Sequence, residues 1–371
     1  MALSLHPNKI EIDISQFQQN IRLIKAAIGD TKICLPVKAN AYGHGLCPIG
    51  HAAVQAGVEY LAVAHLQEGI LLREAGIAIA IFVMGAIHEE QIEDLLKYDL
   101  EFSISSMFKA ELVAKVCTNL SKIAKIHIEI DTGMNRTGVR MAGALKMYDF
   151  ILRSSCFILK GVYTHLATAD RPLDPYTSKQ IHTFKEFLTH PSVRTKDWTV
   201  HCANSAGVLF YPQSYFDMVR PSLLSFGYKP AGVLGLFQDI EPCFTLKSKV
   251  SFFKIVEAGA GIGYGRRHVT AFATRIVTIP IGYGDGYRRA LSQKGQVLIR
   301  GKRYPIVGNI CMDQCMVDVG EDEVRVGDEV VLIGRQGQHN ITVEEIASIC
   351  DTIPYEILCG FNDRIPRVYT Q

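Results

Sequence analysis

The sequence has no long apolar run, no cysteine framework, no strong excess of one charge and no internal repeat or low-complexity linker. Each absence removes a class of explanation. The most apolar stretch, Ile77 to Ile87, is well short of the ~20 residues a membrane-crossing helix needs. The 10 cysteines include no Cys-x-x-Cys pair. The nearest pairs, Cys311/Cys315 and Cys350/Cys359, match no zinc spacing, so no metal site is expected. Many cysteines without such spacing read as free thiols of a reducing cytoplasm. A formal net charge of +2 gives no reason to expect nucleic acid or an anionic membrane as partner. The opening segment, MALSLHPNKIEIDIS, lacks the basic-then-apolar order of a signal peptide.

What is present is ordinary globular material: 371 residues, 48% hydrophobic and 20% charged. From residue 30 to about 225, short β-rich runs alternate with longer amphipathic stretches. The runs are "KICLPV" at 32–37, "YLAVA" at 60–64, "AIFVM" at 80–84, "EFSIS" at 101–105, "KIHIEI" at 125–130, "KGVYTH" at 160–165, "WTVHCA" at 198–203 and "FDMVRP" at 216–221. Glu89–Tyr98, Phe108–Thr118 and Ser178–Thr189 read as helices between them. Eight βα units predict an α/β fold, a (β/α)8 TIM-type barrel over residues 1–240. After residue 240 the runs are short, alternating and closed by glycine, which predicts a mostly antiparallel β domain over 241–371. The first residues of the chain are expected to pack with that domain. A late helix is expected at Thr342, with Thr342 and Glu345 as a capping box, and another after Pro354.

Barrels of this kind carry their chemistry at the C-terminal ends of the strands. Lys38 follows the first strand, Arg136 the fifth, His165 ends the sixth, Asn204 and Ser205 follow the seventh and Arg220 ends the eighth. The loops after strands seven and eight are this fold's usual phosphate cradle. There Ser205 offers a hydroxyl, and Ser222 and Leu223 offer backbone amides. A cation on strand one facing a phosphate site fits pyridoxal 5'-phosphate (PLP) held by a lysine Schiff base.

With those residues in view, the chain resembles the alanine racemases, PLP enzymes built on this barrel plus a β domain. "PVKANAYGHG", "DTGMNRTG", "TH" at 164–165, "ANSAG", "VRP", "GYG" at 263–265, "GYGDGY", "MDQ" at 312–314 and "RIPRVY" run in the family's order across nearly the whole chain. The resemblance implies a cytoplasmic homodimer with shared active sites that converts L-alanine to D-alanine for peptidoglycan. It implies two bases, one on each face of Cα: Lys38 and Tyr264 of the partner subunit. A phenol with pKa near ~10 is a poor base at neutral pH, so His165 and Arg220 are implied as the neighbours that stabilise its anion. Arg220 is implied to face the cofactor's pyridine nitrogen. A guanidinium does not readily give up its proton, which favours returning the proton to Cα. Tyr42, Ser205, Tyr355 and the backbone at Ser222 and Leu223 are implied to hold the phosphate, with Asn204 beside the cofactor hydroxyl. Arg136 and Met312 of the partner subunit are implied to meet the substrate carboxylate.

Plainer readings stand beside these. Asn204 suits a helix N-cap, Tyr42 and Tyr355 half-buried aromatics, Met312 core filler and Arg220 a rim salt bridge. A serine or broad-specificity racemase would use the same catalytic residues, and a non-catalytic PLP-binding protein is a further reading. The chain also departs from the family pattern. Glu129 stands where some members carry a carbamylated lysine. Sharing a strand face with His127 and Asp131, it is expected to point into the barrel and hold Arg136 directly. Ser222 replaces a glycine, Phe226 a tyrosine and Asn309 an arginine common near the entrance.

Overall fold

The computed structural model describes residues 6–193, 197–230, 233 and 235–371. Residues 1–5, part of the segment read above for a leader, lie outside the described residues. The chain forms two compact units. One comprises Gln16–Ala41 and Leu46–Pro242; the other comprises the described residues up to Ser15, the turn Tyr42–Gly45, and Cys243–Gln371.

β1 (Lys9–Asp13) belongs to the second unit; β2 (Lys32–Pro36), β3 (Tyr60–Val63), β4 (Ala80–Val83), β5 (Glu101–Ile104), β6 (Ala124–Asp131), β7 (Val139–Arg140), β8 (Phe157–Tyr163), β9 (Thr199–His201) and β10 (Met218–Val219) belong to the first. β2 to β6 pair in succession, β6 pairs β8, β8 pairs β9, β9 pairs β10 and β10 returns to β2, all parallel. The result is a closed eight-stranded barrel, with β7 beside β6 outside the ring. Its strands are the eight read from the sequence. They are short, and β2 to β5 are nearly all buried, as strands covered on both faces must be.

The helix Met107–Leu120 starts at Ser106, whose hydroxyl accepts the Lys109 N–H at 3.2 Å, and stops at Ser121 with φ 52°. Tyr176–Leu188 buries Ile181, Phe184 and Phe187. The expected Glu89–Tyr98 helix is a short 3-10 turn, Glu89–Gln91, followed by Ile92–Lys97. Inside the barrel, Cys34, Ala62, Phe82, Tyr163 and Met218 form one buried cluster. Ser103, His127, Glu129 and His201 are buried as well. Polar groups taken out of water need internal partners, so this interior has to be wired as well as packed.

The second unit is mostly antiparallel. β11 (Phe244–Lys249) runs antiparallel to β1, from Lys9↔Lys247 to Ile12↔Phe244, and the strand Arg367–Thr370 pairs β1 in parallel on its other side. β12 (Phe252–Val256) is an edge strand paired with Thr274–Ile279. Thr342 caps the helix Val343–Ile349 by accepting the Glu345 N–H at 3.0 Å. The reciprocal arm of the expected capping box is not made. Glu345 instead grips Arg303 through two bonds of 2.7 and 2.8 Å, because a bidentate ion pair outweighs one bond to a backbone amide. The helix expected after Pro354 is Pro354–Cys359. Among the described residues no helix is long and apolar enough to cross a membrane, and no group of three or more His, Cys, Asp or Glu is placed to hold a metal.

Candidate active site

Lys38 leaves the end of β2 exposed, and the chain then does something glycine usually does. Ala39, Asn40, Ala41 and Tyr42 have φ of 53, 55, 52 and 53°. Consecutive left-handed residues with side chains cost about 1–2 kcal/mol each. Hydrogen bonds offset that cost. The Ala39 N–H donates to Glu68 Oε1 at 2.6 Å, the Ala41 N–H to the Val37 carbonyl at 2.8 Å, and Asn40 Oδ1 accepts the Leu46 N–H at 2.8 Å. Glu68 is itself fixed, since its Oε2 accepts the N–H groups of Ala64 at 2.9 Å and His65 at 3.2 Å. Gly43 follows because a Cβ there would lie 2.3 Å from the Leu358 carbonyl oxygen. His44 is buried, and its Nδ1 lies 3.0 Å from the Tyr42 carbonyl.

Arg220, beyond β10, is buried. It donates to His201 Nδ1 at 2.7 Å, the Thr164 carbonyl at 2.9 Å, and His165 Nδ1 and the Cys202 carbonyl at 3.3 Å each. Its guanidinium also lies 5.3 Å from the Tyr163 ring centroid. Its hydrogen bonds go to imidazoles and carbonyls, not to a carboxylate, so the rim salt bridge is excluded. A guanidinium only donates, so the His165 nitrogen facing it accepts and the ring's proton resides on Nε2. Burial, then the charges of Arg220, Arg136 and Lys38, push the His165 pKa down to about 3, and the ring stays neutral.

Arg136 is exposed at the end of a shaped loop. Asp131 Oδ1 accepts the N–H groups of Gly133 and Asn135 at 3.0 Å each, and the Tyr176 hydroxyl donates to the Gly133 carbonyl at 2.9 Å. Glu129 does point inward, but it does not hold Arg136. Its Oε1 accepts the Thr137 hydroxyl at 2.9 Å, and no ion pair joins it to Arg136. The Arg136 loop carries the guanidinium outward while Glu129 stays buried, where desolvation raises its pKa. His127 and His201, buried beneath Arg220, were not read from the sequence as site residues. The signal available was a histidine on the inward face of a barrel strand.

After β9, Asn204 is the N-cap of the helix Ser205–Phe210 and accepts the Gly207 N–H at 2.9 Å. The Ser205 hydroxyl accepts the Leu224 N–H at 3.2 Å and faces the Ser222 hydroxyl at 3.2 Å. Ser222 and Leu223 open the helical turn Ser222–Ser225, with Ser222 outside the positive-φ region, so no glycine is required there. Phe226 is buried against Phe17, ring centroids 5.5 Å apart.

In the second unit Tyr42 is buried and Tyr355 partly exposed, their ring centroids 5.8 Å apart. Tyr264 is 75% exposed on a turn flanked by Gly263 and Gly265 at φ 68 and 71°. Asn309 is buried behind that turn, donating to the Tyr264 carbonyl at 2.8 Å and accepting from Arg267 at 3.3 Å. Met312 is 53% exposed, so it is no core filler. Its carbonyl accepts the Gly284 N–H at 2.8 Å.

Sequence profiles described as "Alanine racemase, N-terminal domain" and "Alanine racemase, C-terminal domain" match residues 12–230 and 243–369. The chain is 42% identical to the alanine racemase of Halothermothrix orenii, over 98% of this chain and 97% of that one. It is 40% identical to that of Symbiobacterium thermophilum over the same shares. The solved alanine racemase of Streptomyces coelicolor superposes with a TM-score of 0.94 at 30% identity, covering 100% of both chains. That of Bacillus anthracis, solved with bound L-Ala-P, gives 0.91 at 37%, covering 99% of this chain and 95% of the other.

Proposed function

The chain belongs to the alanine racemase family, PLP-dependent isomerases that interconvert L- and D-alanine, and from that premise we propose that Lys38 and Tyr264 of the partner subunit are its two bases. The observation that carries this reading is the set of groups at the C-terminal ends of the barrel strands: an exposed amine, two facing hydroxyls, and a buried guanidinium with no carboxylate partner.

These side chains fit PLP. Ser205, Ser222 and the Leu223 backbone would hold its phosphate, with Tyr42 and Tyr355 of the second unit. Arg220 would face its ring nitrogen, and Asn204 its hydroxyl. When bound, the cofactor supplies an electron sink that acidifies the substrate's Cα–H. Among the described residues no ion pair holds Arg136, which takes the substrate carboxylate, with the Met312 backbone of the partner subunit. Lys38 Nζ moves the proton on one face of Cα and the phenol oxygen of Tyr264 moves it on the other. His165 offers its Nε2–H to that phenol oxygen, and Arg220 places a positive charge behind the imidazole. Arg220 keeps its own protons and does not compete for the one in transit.

The reading calls for a second copy, with the exposed Tyr264 and Met312 as the groups that a neighbouring subunit would supply. Phe252 and Ile255 on the edge strand β12 are 53 and 65% exposed, and Phe272 is 78% exposed. Apolar surface of this kind fits burial against another subunit. We place the enzyme in the cytoplasm, where it supplies D-alanine for peptidoglycan. Chiral product analysis over L-alanine, L-serine, L-lysine and L-arginine with added PLP tests the reading. D-alanine is expected as the preferred product. Lys38→Ala is expected to abolish both turnover and the visible absorbance of the lysine-bound cofactor. Retained colour in that variant after borohydride treatment would assign the cofactor to another lysine.

A further inference from the structure

We propose that Glu101 is a positioning residue for Arg220, acting across the barrel through His127 and His201. The proposal rests on the reading of Arg220 given above. Four buried side chains from four strand ends or interiors form one unbroken line. Glu101 Oε2 lies 2.8 Å from His127 Nε2, His127 Nδ1 lies 3.0 Å from His201 Nε2, and His201 Nδ1 lies 2.7 Å from Arg220.

The hydrogen positions along this line follow from chemistry alone. Arg220 can only donate, so His201 Nδ1 accepts and His201 carries its proton on Nε2. That proton points at His127 Nδ1, which must accept, so His127 carries its proton on Nε2. Glu101 receives it. A donor-only group at one end and a carboxylate at the other thus select one tautomer for both rings. Burial holds both imidazoles below their ordinary pKa, so both are neutral.

The rings are also fixed sterically. Phe82 stacks on His127 at 4.1 Å and Tyr163 on His201 at 5.0 Å. A Cβ at Gly161 would lie 2.3 Å from His127 Nδ1, so only glycine on β8 leaves room for the ring. Without Glu101, His127 keeps a buried N–H with no acceptor. The imidazole is then free to reverse, and reversal presents His201 with a second donor instead of an acceptor. The loss of order arrives at Arg220 as a lost hydrogen-bond acceptor.

The test combines kinetics with imidazole 15N resonances of the cofactor-free protein. In the wild type, His127 and His201 should both show protonated Nε2 and unprotonated Nδ1. Glu101→Ala should mix those signatures in both rings and lower kcat by about tenfold, with KM for L-alanine within about twofold. Glu101→Gln keeps an acceptor oxygen and should recover most of kcat and the wild-type resonances. Glu101→Leu replaces the alanine variant should that one not fold. A folded Glu101→Ala with wild-type kcat, or with unmixed His201 resonances, overturns the proposal. Arg220→Lys is run in parallel. If it is impaired and Glu101→Ala is not, the proposal alone falls. If it is wild-type, the reading of Arg220 falls, and the proposal's functional half falls with it.

Discussion

The two units place their chemistry in opposite ways. The barrel takes charged and titratable groups inside and bonds them to internal partners: Arg220 to two imidazoles and two carbonyls, Glu129 Oε1 to Thr137, His127 to Glu101. The second unit buries fewer such groups, His44, Asp285 and Asn309 among them, and leaves Tyr264 and Met312 exposed to solvent, along with Phe252, Ile255 and Phe272. The barrel can therefore orient its own groups before anything binds. The second unit's groups are held by the turns that carry them and by contacts behind those turns, such as the Asn309 bond to the Tyr264 carbonyl.

That contrast breaks most visibly at Tyr264. Tyr264→Phe should lower racemisation by about 10²- to 10⁴-fold, the usual weight of one acid–base group. The loss of Cα hydrogen exchange should be unequal in the two directions, as read by deuterium incorporation from L- and D-alanine. Equal losses would refute a one-face role. Next in size is association. Placing aspartate at both Phe252 and Ile255 on β12 removes two apolar side chains worth about 1.5–3 kcal/mol each when buried. Sedimentation should show dimer association weakened by roughly a hundredfold or more, with activity rising with protein concentration. A dimer of wild-type affinity would move the interface off that strand. Asn309→Ala removes the brace behind Tyr264 and should lower kcat by about tenfold with the dimer intact. An unchanged kcat would mean the glycine-flanked turn holds itself.

The smallest expected effect belongs to the barrel. His165 refuses a proton in the fold, with pKa about 3, that it accepts near 6.5 when unfolded. Between those values the unfolded state binds more protons, so stability falls as pH falls through the window and is untouched above it. For this one group the slope is at most about 1.4 kcal/mol per pH unit. Urea midpoints from pH 7 to 4.5 should decline for the wild type and decline less for His165→Gln. Parallel slopes would mean that the imidazole is solvated.

The barrel was legible because eight short apolar runs and their helices keep regular spacing, and polar side chains fall where several of the runs stop. Lys38, Arg136, His165 and Arg220 could be read from that punctuation alone. The wiring beneath was not, since its middle link joins His127 on β6 to His201 on β9, 74 residues along the chain, and the two meet only when the barrel forms. His201 looks like any residue of a buried strand until Arg220 is set against it. Glu129 and Glu345 misled for a related reason. Spacing offered each a nearby partner, and the fold gave Glu129 a hydroxyl and Glu345 a better-shaped cation. The reversal of handedness after Lys38 had little herald, because alanine and tyrosine write no left-handed signature into a sequence and only Asn40 leans that way.

That mirror-image coil sets a limit on what can be altered beside Lys38. A β-branched residue at position 39 or 41 would meet its own backbone before it met any neighbour, so Ala39→Val should fail through geometry however small the added bulk. A glycine there would relax the coil and leave the amine's reach less strictly metered. The distance over which Lys38 can work is thus written into the main chain, ahead of any side chain that later surrounds it.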